Sequence, residues 1–89
     1  MENIEQKLAE AVEAFDEGNY QFSFDTLKPL AEQGNAKAQF YFGLLYRIGQ
    51  AVKQDYHQAY RWYLLSAEQG YAEAQYKIGL MYYKGQVVK

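Results

Sequence analysis

A block of 23 residues occurs twice in this chain, as AEQGNAKAQFYFGLLYRIGQAVK from Ala31 to Lys53 and AEQGYAEAQYKIGLMYYKGQVVK from Ala67 to Lys89, 36 positions apart with 14 identities. A period of this length marks a stack of supersecondary units, each unable to bury its own apolar face and each supplying surface to its neighbour. The 89 residues suffice for one small domain of this kind, with the narrow stability margin of a short chain. An apolar content of 49%, including ten tyrosines, is rich enough to pack a core rather than stay disordered.

Charge and composition exclude several classes of function. A net charge of -2, with no run of basic residues, offers no long-range attraction to phosphate backbones or anionic lipid, so neither nucleic acid nor membrane is an expected partner. The absence of cysteine removes disulfides, thiol nucleophiles and thiolate metal sites. No apolar run is long enough to span a bilayer. The start, MENIEQKLAEAVEAF, lacks the basic flank and apolar stretch of a secretory signal, and a cytoplasmic location is expected, or a periplasmic one if a leader was removed.

Five helices follow from apolar periodicity and caps. The first begins at Asn3, which can cap it with Gln6 as capping-box partner, and runs to about Glu17 with Ile4, Leu8, Ala11, Val12 and Phe15 at helical spacing. Its other positions, Glu2, Glu5, Gln6, Glu10 and Glu13, form a polar outer face. Gly18 breaks it. Asn19 offers a cap to the second helix, Tyr20 to Gln33, which carries Phe24, Leu27, Leu30 and Ala31 on one side. Pro29 cannot donate to the Asp25 carbonyl, so a bend or weakened last turn is expected there.

The third helix, Ala36 to Ile48, is apolar on two sides. At about 100° per residue, Ala38, Phe42, Leu45 and Tyr46 share one face, while Phe40, Leu44 and Arg47 share nearly the opposite one. A helix of this kind needs two neighbours. Gly43 lies between the faces, where a glycine costs about 1 kcal/mol relative to alanine; close approach of another helix is the compensation expected, with Gly79 in the corresponding place. A loop from Gly49 to Gln54 tucks Val52 beneath the pair, and Asp55 caps the fourth helix, Tyr56 to about Gln69. The fifth runs from Ala72 to about Lys84, with Ala74, Ile78, Met81 and Tyr82 on the face expected to await another helix.

The pattern A-E-Q-G-x-A-x-A-Q-x-x-x-G-L-x-Y-x-x-G-Q-x-V, followed in the complete copy by Asp55, Ala59, Trp62, Tyr63 and Ala67, resembles the Sel-like repeat family, a branch of the tetratricopeptide superfamily. The resemblance runs through Ala38, Gly43, Tyr46, Gly49, Val52, Asp55, Ala59, Trp62, Ala67 and Gly70, then Ala74, Gly79, Tyr82, Gly85 and Val88. Residues 1–34 are closer to an ordinary tetratricopeptide repeat, with Ala11 in place of Gly43 and Ser23 in place of Ala59; residues 35–70 make a Sel-like repeat and 71–89 the first half of another. The resemblance implies an all-α solenoid: antiparallel helix pairs stacked in a right-handed superhelix, with the first, third and fifth (A) helices lining a concave surface and the others (B) outside. It also implies a non-catalytic adaptor that holds other proteins in complexes, in bacteria and in eukaryotes.

On that arrangement the residues expected to face a bound peptide are Lys37, Phe40, Leu44 and Arg47 on the third helix and Glu73, Tyr76, Leu80 and Tyr83 on the fifth, continued by Leu8, Val12 and Phe15 on the first. Aromatics would anchor the segment and charges would set its register. The competing reading is packing between A helices, above all at Leu8, Val12 and Leu44. A different class of function, self-assembly as a homodimer through Ile78, Met81 and Tyr82, is the alternative. Trp62 and Tyr63, in register with Ala59 and Ser66, read as core. His57, the one histidine, has no second histidine, thiol or carboxylate cluster at ligand spacing. No metal, cofactor or catalytic residue is therefore expected.

Overall fold

The computed structural model describes residues 3–86; Glu2 of the outer face and Val88, the counterpart of Val52, lie outside the described residues. Five helices run in order: α1 (Ile4–Asp16), α2 (Tyr20–Glu32), α3 (Ala36–Ile48), α4 (Tyr56–Glu68) and α5 (Ala72–Tyr83), with no strand among the described residues. Three start under side-chain caps. Asn3 Oδ1 accepts from the Gln6 amide at 2.7 Å, Asn35 Oδ1 from Ala38 at 2.9 Å and Asp55 Oδ1 from Gln58 at 3.0 Å, each satisfying a first-turn donor. Asn19 precedes α2 as expected but makes no side-chain cap bond. α2 continues through Pro29 to Glu32.

The core forms two clusters that meet at α3. Leu8 and Ala11 of α1, Leu27, Leu30 and Ala31 of α2, and Ala38, Phe42 and Leu45 of α3 make the first. Phe40, Ala59, Tyr63, Ala74 and Met81 make the second, joining α3, α4 and α5. Phe42 links the helices on either side, its ring 4.8 Å from Phe24 and 5.1 Å from Trp62. The two apolar sides of α3 thus have the two neighbours they require. Aromatic pairs at these separations add to the burial term.

The repeated glutamines explain themselves in the structure. Gln39 Nε2 donates to the Ala31 carbonyl at 3.2 Å, and Gln75, 36 positions later, donates to Ala67 at 3.1 Å. Each A helix therefore satisfies a carbonyl in the last turn of the B helix before it. Gln69 ties the complete unit backward, donating to Gly34 O at 2.8 Å and to Gln39 Oε1 at 2.9 Å. Gln39 is buried and Gln75 exposed, so Gln39→Ala should cost about 2 kcal/mol and Gln75→Ala less than about 1. Chemical denaturation of the two variants checks this. Equal losses would show that burial does not set the worth of the bond.

The A helix and B helix of each pair are pinned by a buried hydroxyl. Ser23 Oγ donates to Ala11 O at 2.9 Å, and Ser66 Oγ to Ala36 O at 2.7 Å. In the second pair the helices also close over Gly43, where an added Cβ would lie 2.9 Å from Tyr63 Cδ1 and 3.2 Å from the Ala59 carbonyl oxygen. In the first pair Ala11 and Ser23 hold the equivalent places. A hydrogen bond there takes the role of the glycine contact.

Candidate functional site

Ring contacts fix which way α3 faces. Tyr41 lies edge-on to Phe15 of α1 at 5.5 Å, while Phe40 packs on Tyr63 of α4 at 5.7 Å and on Tyr71, just before α5, at 5.3 Å. The side of α3 turned toward its fellow A helices is therefore the strip Lys37, Tyr41, Leu44 and Ile48, at i, i+4, i+7 and i+11. The repeat carries it onto α5 as Glu73, Lys77, Leu80 and Lys84. Leu44, Ile48, Lys77 and Leu80 are half-buried, and Lys37, Glu73 and Lys84 are exposed.

Of the residues expected from sequence to face a peptide, Lys37, Leu44, Glu73 and Leu80 fall on this strip. The others turn away. Phe40 is only 6% exposed in the second core cluster, so it cannot act as a surface anchor. Arg47 lies toward α4, where its charge acts on the buried Tyr63 hydroxyl. Tyr76 and Tyr83 stand at the positions of Phe40 and Arg47 one repeat later and are 66% and 89% exposed. On α1, Leu8 is buried in the first cluster and Phe15 packs between Tyr20 and Tyr41.

The face expected to stay open on α5 is also reversed. Met81 is 2% exposed and, with Ala74, packs into the cluster of Ala59 and Tyr63; Ile78 lies against the same cluster. Tyr82 shares a hydrogen bond with Tyr60 of α4, their hydroxyls 2.9 Å apart. Ile78 and Met81 are therefore turned onto α4, as Phe42 and Leu45 are turned onto α2, so Met81 is not available to a second copy, while Tyr82 remains 56% exposed. The side of α5 without cover among the described residues carries Tyr76, Gly79 and Tyr83.

The electrostatics of the strip differ between its two ends. The Tyr41 phenol is pushed up by burial first, then by the Asp16 and Glu73 carboxylates. Tyr71 is pushed up to about 12 by burial, with Glu73 adding to it. At the other end, the Lys77 ammonium is pushed down by burial, then by the like charges of Arg47 and Lys84. Tyr41, Ile48, Lys77 and Lys84 were not among the residues expected from sequence. The signal for them is the i, i+4, i+7, i+11 spacing, which competes with the equally regular 37, 40, 44, 47.

A cleft lined by Ile4, Phe22, Pro29 and Leu30 runs between α1 and α2 and shares no residue with the strip. His57 is exposed at the start of α4. Among the described residues no group of three or more His, Cys, Asp or Glu could hold a metal ion. None of the described helices is long and apolar enough to cross a membrane.

The family model for the Sel1 repeat matches residues 36–71 and 72–89. Among solved structures, a Sel1 repeat protein from Oxalobacter formigenes is similar to 88% of this chain at 36% identity, with a TM-score of 0.81. This chain spans 32% of the length of that one. No curated protein matches the sequence.

Proposed function

The chain belongs to the Sel1 repeat family, and on that premise we propose that it is a non-catalytic scaffold that receives a segment of another protein along the A-helix strip. Sel1 repeats in general mediate protein–protein interaction. The observation that carries the finer reading is the composition of the strip itself: half-buried Tyr41, Leu44, Ile48 and Leu80, bordered by exposed Lys37 and Glu73. An apolar floor with a charged border is what a peptide groove needs, since apolar contact supplies affinity and rim charge supplies register.

Lys37→Glu combined with Leu80→Glu is expected to weaken capture of the partner at least tenfold, with unchanged helicity and melting temperature. The matched outer-layer variant, Lys28→Glu with Leu65→Glu at exposed positions, is expected to leave capture intact. Quantitative pull-down with both proteins is the measurement. Unaltered capture by a folded groove variant would sink the proposal.

A further inference from the structure

We infer that the cleft between α1 and α2 is a second docking site, separate from the A-helix strip, for the C-terminal half of a basic amphipathic helix from a partner protein. The repeat itself shows what such a cleft receives. α1 and α3 are both 13 residues long and begin 32 positions apart, while α2 and α4 correspond at 36. Each residue of the cleft therefore has a counterpart in the second unit, where the space between α3 and α4 is filled by α2. There Phe42 packs on Phe24 of α2 and on Trp62 of α4. Two glutamines take the end of the arriving helix, Gln39 donating to Ala31 O and Gln69 to Gly34 O.

In the first unit Lys7 stands in the place of Gln39 and Gln33 in that of Gln69, and both line the cleft. Donors for the last carbonyls of a helix are thus kept, and an ammonium there also meets the negative end of the helix dipole. The direction of the guest follows. Its C-terminus lies at Lys7 and Gln33 and its N-terminal side toward Glu13 and Glu17, antiparallel to α1 as α2 is to α3.

The rest of the lining defines the guest's side chains. Phe22 stands where the second unit has Gln58 and Ile4 where it has Ala36, and they are 46% and 49% exposed. A terminal unit that met only water would carry polar residues in those places. Glu10 stands where the second unit has Phe42, and from it the cleft continues past Glu13 to Glu17. The guest therefore needs apolar residues for Ile4 and Phe22, and a lysine or arginine where α2 has Phe24. That residue lies seven positions before the one whose carbonyl Lys7 meets, as Phe24 does before Ala31, and so on the same face. In another copy of this chain the ends of α2 and α4 are already engaged by Gln39 and Gln75, so neither can be the guest.

The probe is a labelled, lactam-bridged helical peptide of residues 20–34 with Phe24→Arg, compared in fluorescence anisotropy of the full chain with the parent peptide and with Phe24→Glu. Saturable binding is expected, tightest for arginine and weakest for glutamate. In the protein, Phe22→Gln is expected to weaken the arginine peptide about tenfold with helicity and melting temperature unchanged. Glu10→Phe remakes the lining of the second unit and should bring the parent peptide ahead of the arginine one. No binding, or a peptide order indifferent to Glu10→Phe, would overturn the inference. Binding lost on Lys37→Glu with Leu80→Glu but not on Phe22→Gln would also overturn it, moving the helix to the strip and leaving the proposed function in place. Self-association in light scattering that Phe22→Gln abolishes would give the cleft to a second copy and overturn it equally.

Discussion

Gly43→Leu is expected to destabilise the protein by about 3 kcal/mol, the upper part of the usual range for overpacking, and to lower its melting temperature by more than about 10 °C. Even a methyl group has no room. A Cβ at this position would meet Tyr63 Cδ1 at 2.9 Å, Cε1 at 3.0 Å and the Ala59 carbonyl oxygen at 3.2 Å. The Tyr63 ring is fully buried and packed on Phe40, and the Ala59 oxygen belongs to a helix backbone, so neither can retreat cheaply. The chain supplies its own control at Gly79, one repeat later, where nothing lies within 4 Å of the equivalent Cβ. Gly79→Ala should therefore gain close to the full helix-propensity difference, about 1 kcal/mol. Thermal melts of the two variants should shift in opposite directions. A loss at both positions, or at neither, would show that helix contact is not what distinguishes the two glycines.

That contrast marks how much was legible before the structure. The 36-residue spacing gives the order, length and pairing of the helices, because the positions Asn19 and Asp55 that precede B helices and the breaks at Gly34 and Gly70 recur one period apart around apolar stretches. Gly43 as a point of close approach also follows from sequence, since a glycine in mid-helix requires compensation. The facing of the A helices does not follow. On α3 the stripes 37-40-44-47 and 37-41-44-48 are both continuous, and they share Lys37 and Leu44. Only the contacts of Phe40 with Tyr63 and of Tyr41 with Phe15 choose between them. That one-position difference moves Phe40 into the core and brings Tyr41 and Lys77 onto the strip. It also reverses α5, turning Met81 inward and leaving Tyr76 and Tyr83 exposed.

Alkaline pH is expected to unfold this protein steeply, since several of its tyrosines are held protonated by the fold. In the unfolded chain a tyrosine ionises near pH 10. Burial pushes the Tyr63 hydroxyl well above that value, pushes Tyr71 to about 12 and raises Tyr41. The stability these neutral phenols contribute is complete below about pH 10. It is lost as pH climbs from there through the folded-state values, because the unfolded chain releases protons that the folded chain retains. For Tyr63 the slope approaches about 1.4 kcal/mol per pH unit; for Tyr71 and Tyr41, which are more exposed, it is smaller. Lys77 works the other way, its lowered value favouring folding as pH rises toward the unfolded lysine range, but one partly exposed ammonium is outweighed by three phenols. Tyr63 is the separable part, because its hydroxyl is buried without a hydrogen-bond partner among the described residues. Tyr63→Phe should therefore leave neutral-pH stability unchanged or raise it by about 1 kcal/mol, and should flatten the alkaline limb. Urea titrations of both proteins across about pH 8 to pH 12 measure the two slopes. If the phenylalanine variant lost stability as steeply as the parent, the buried phenol of Tyr63 would not be what the alkaline transition reports.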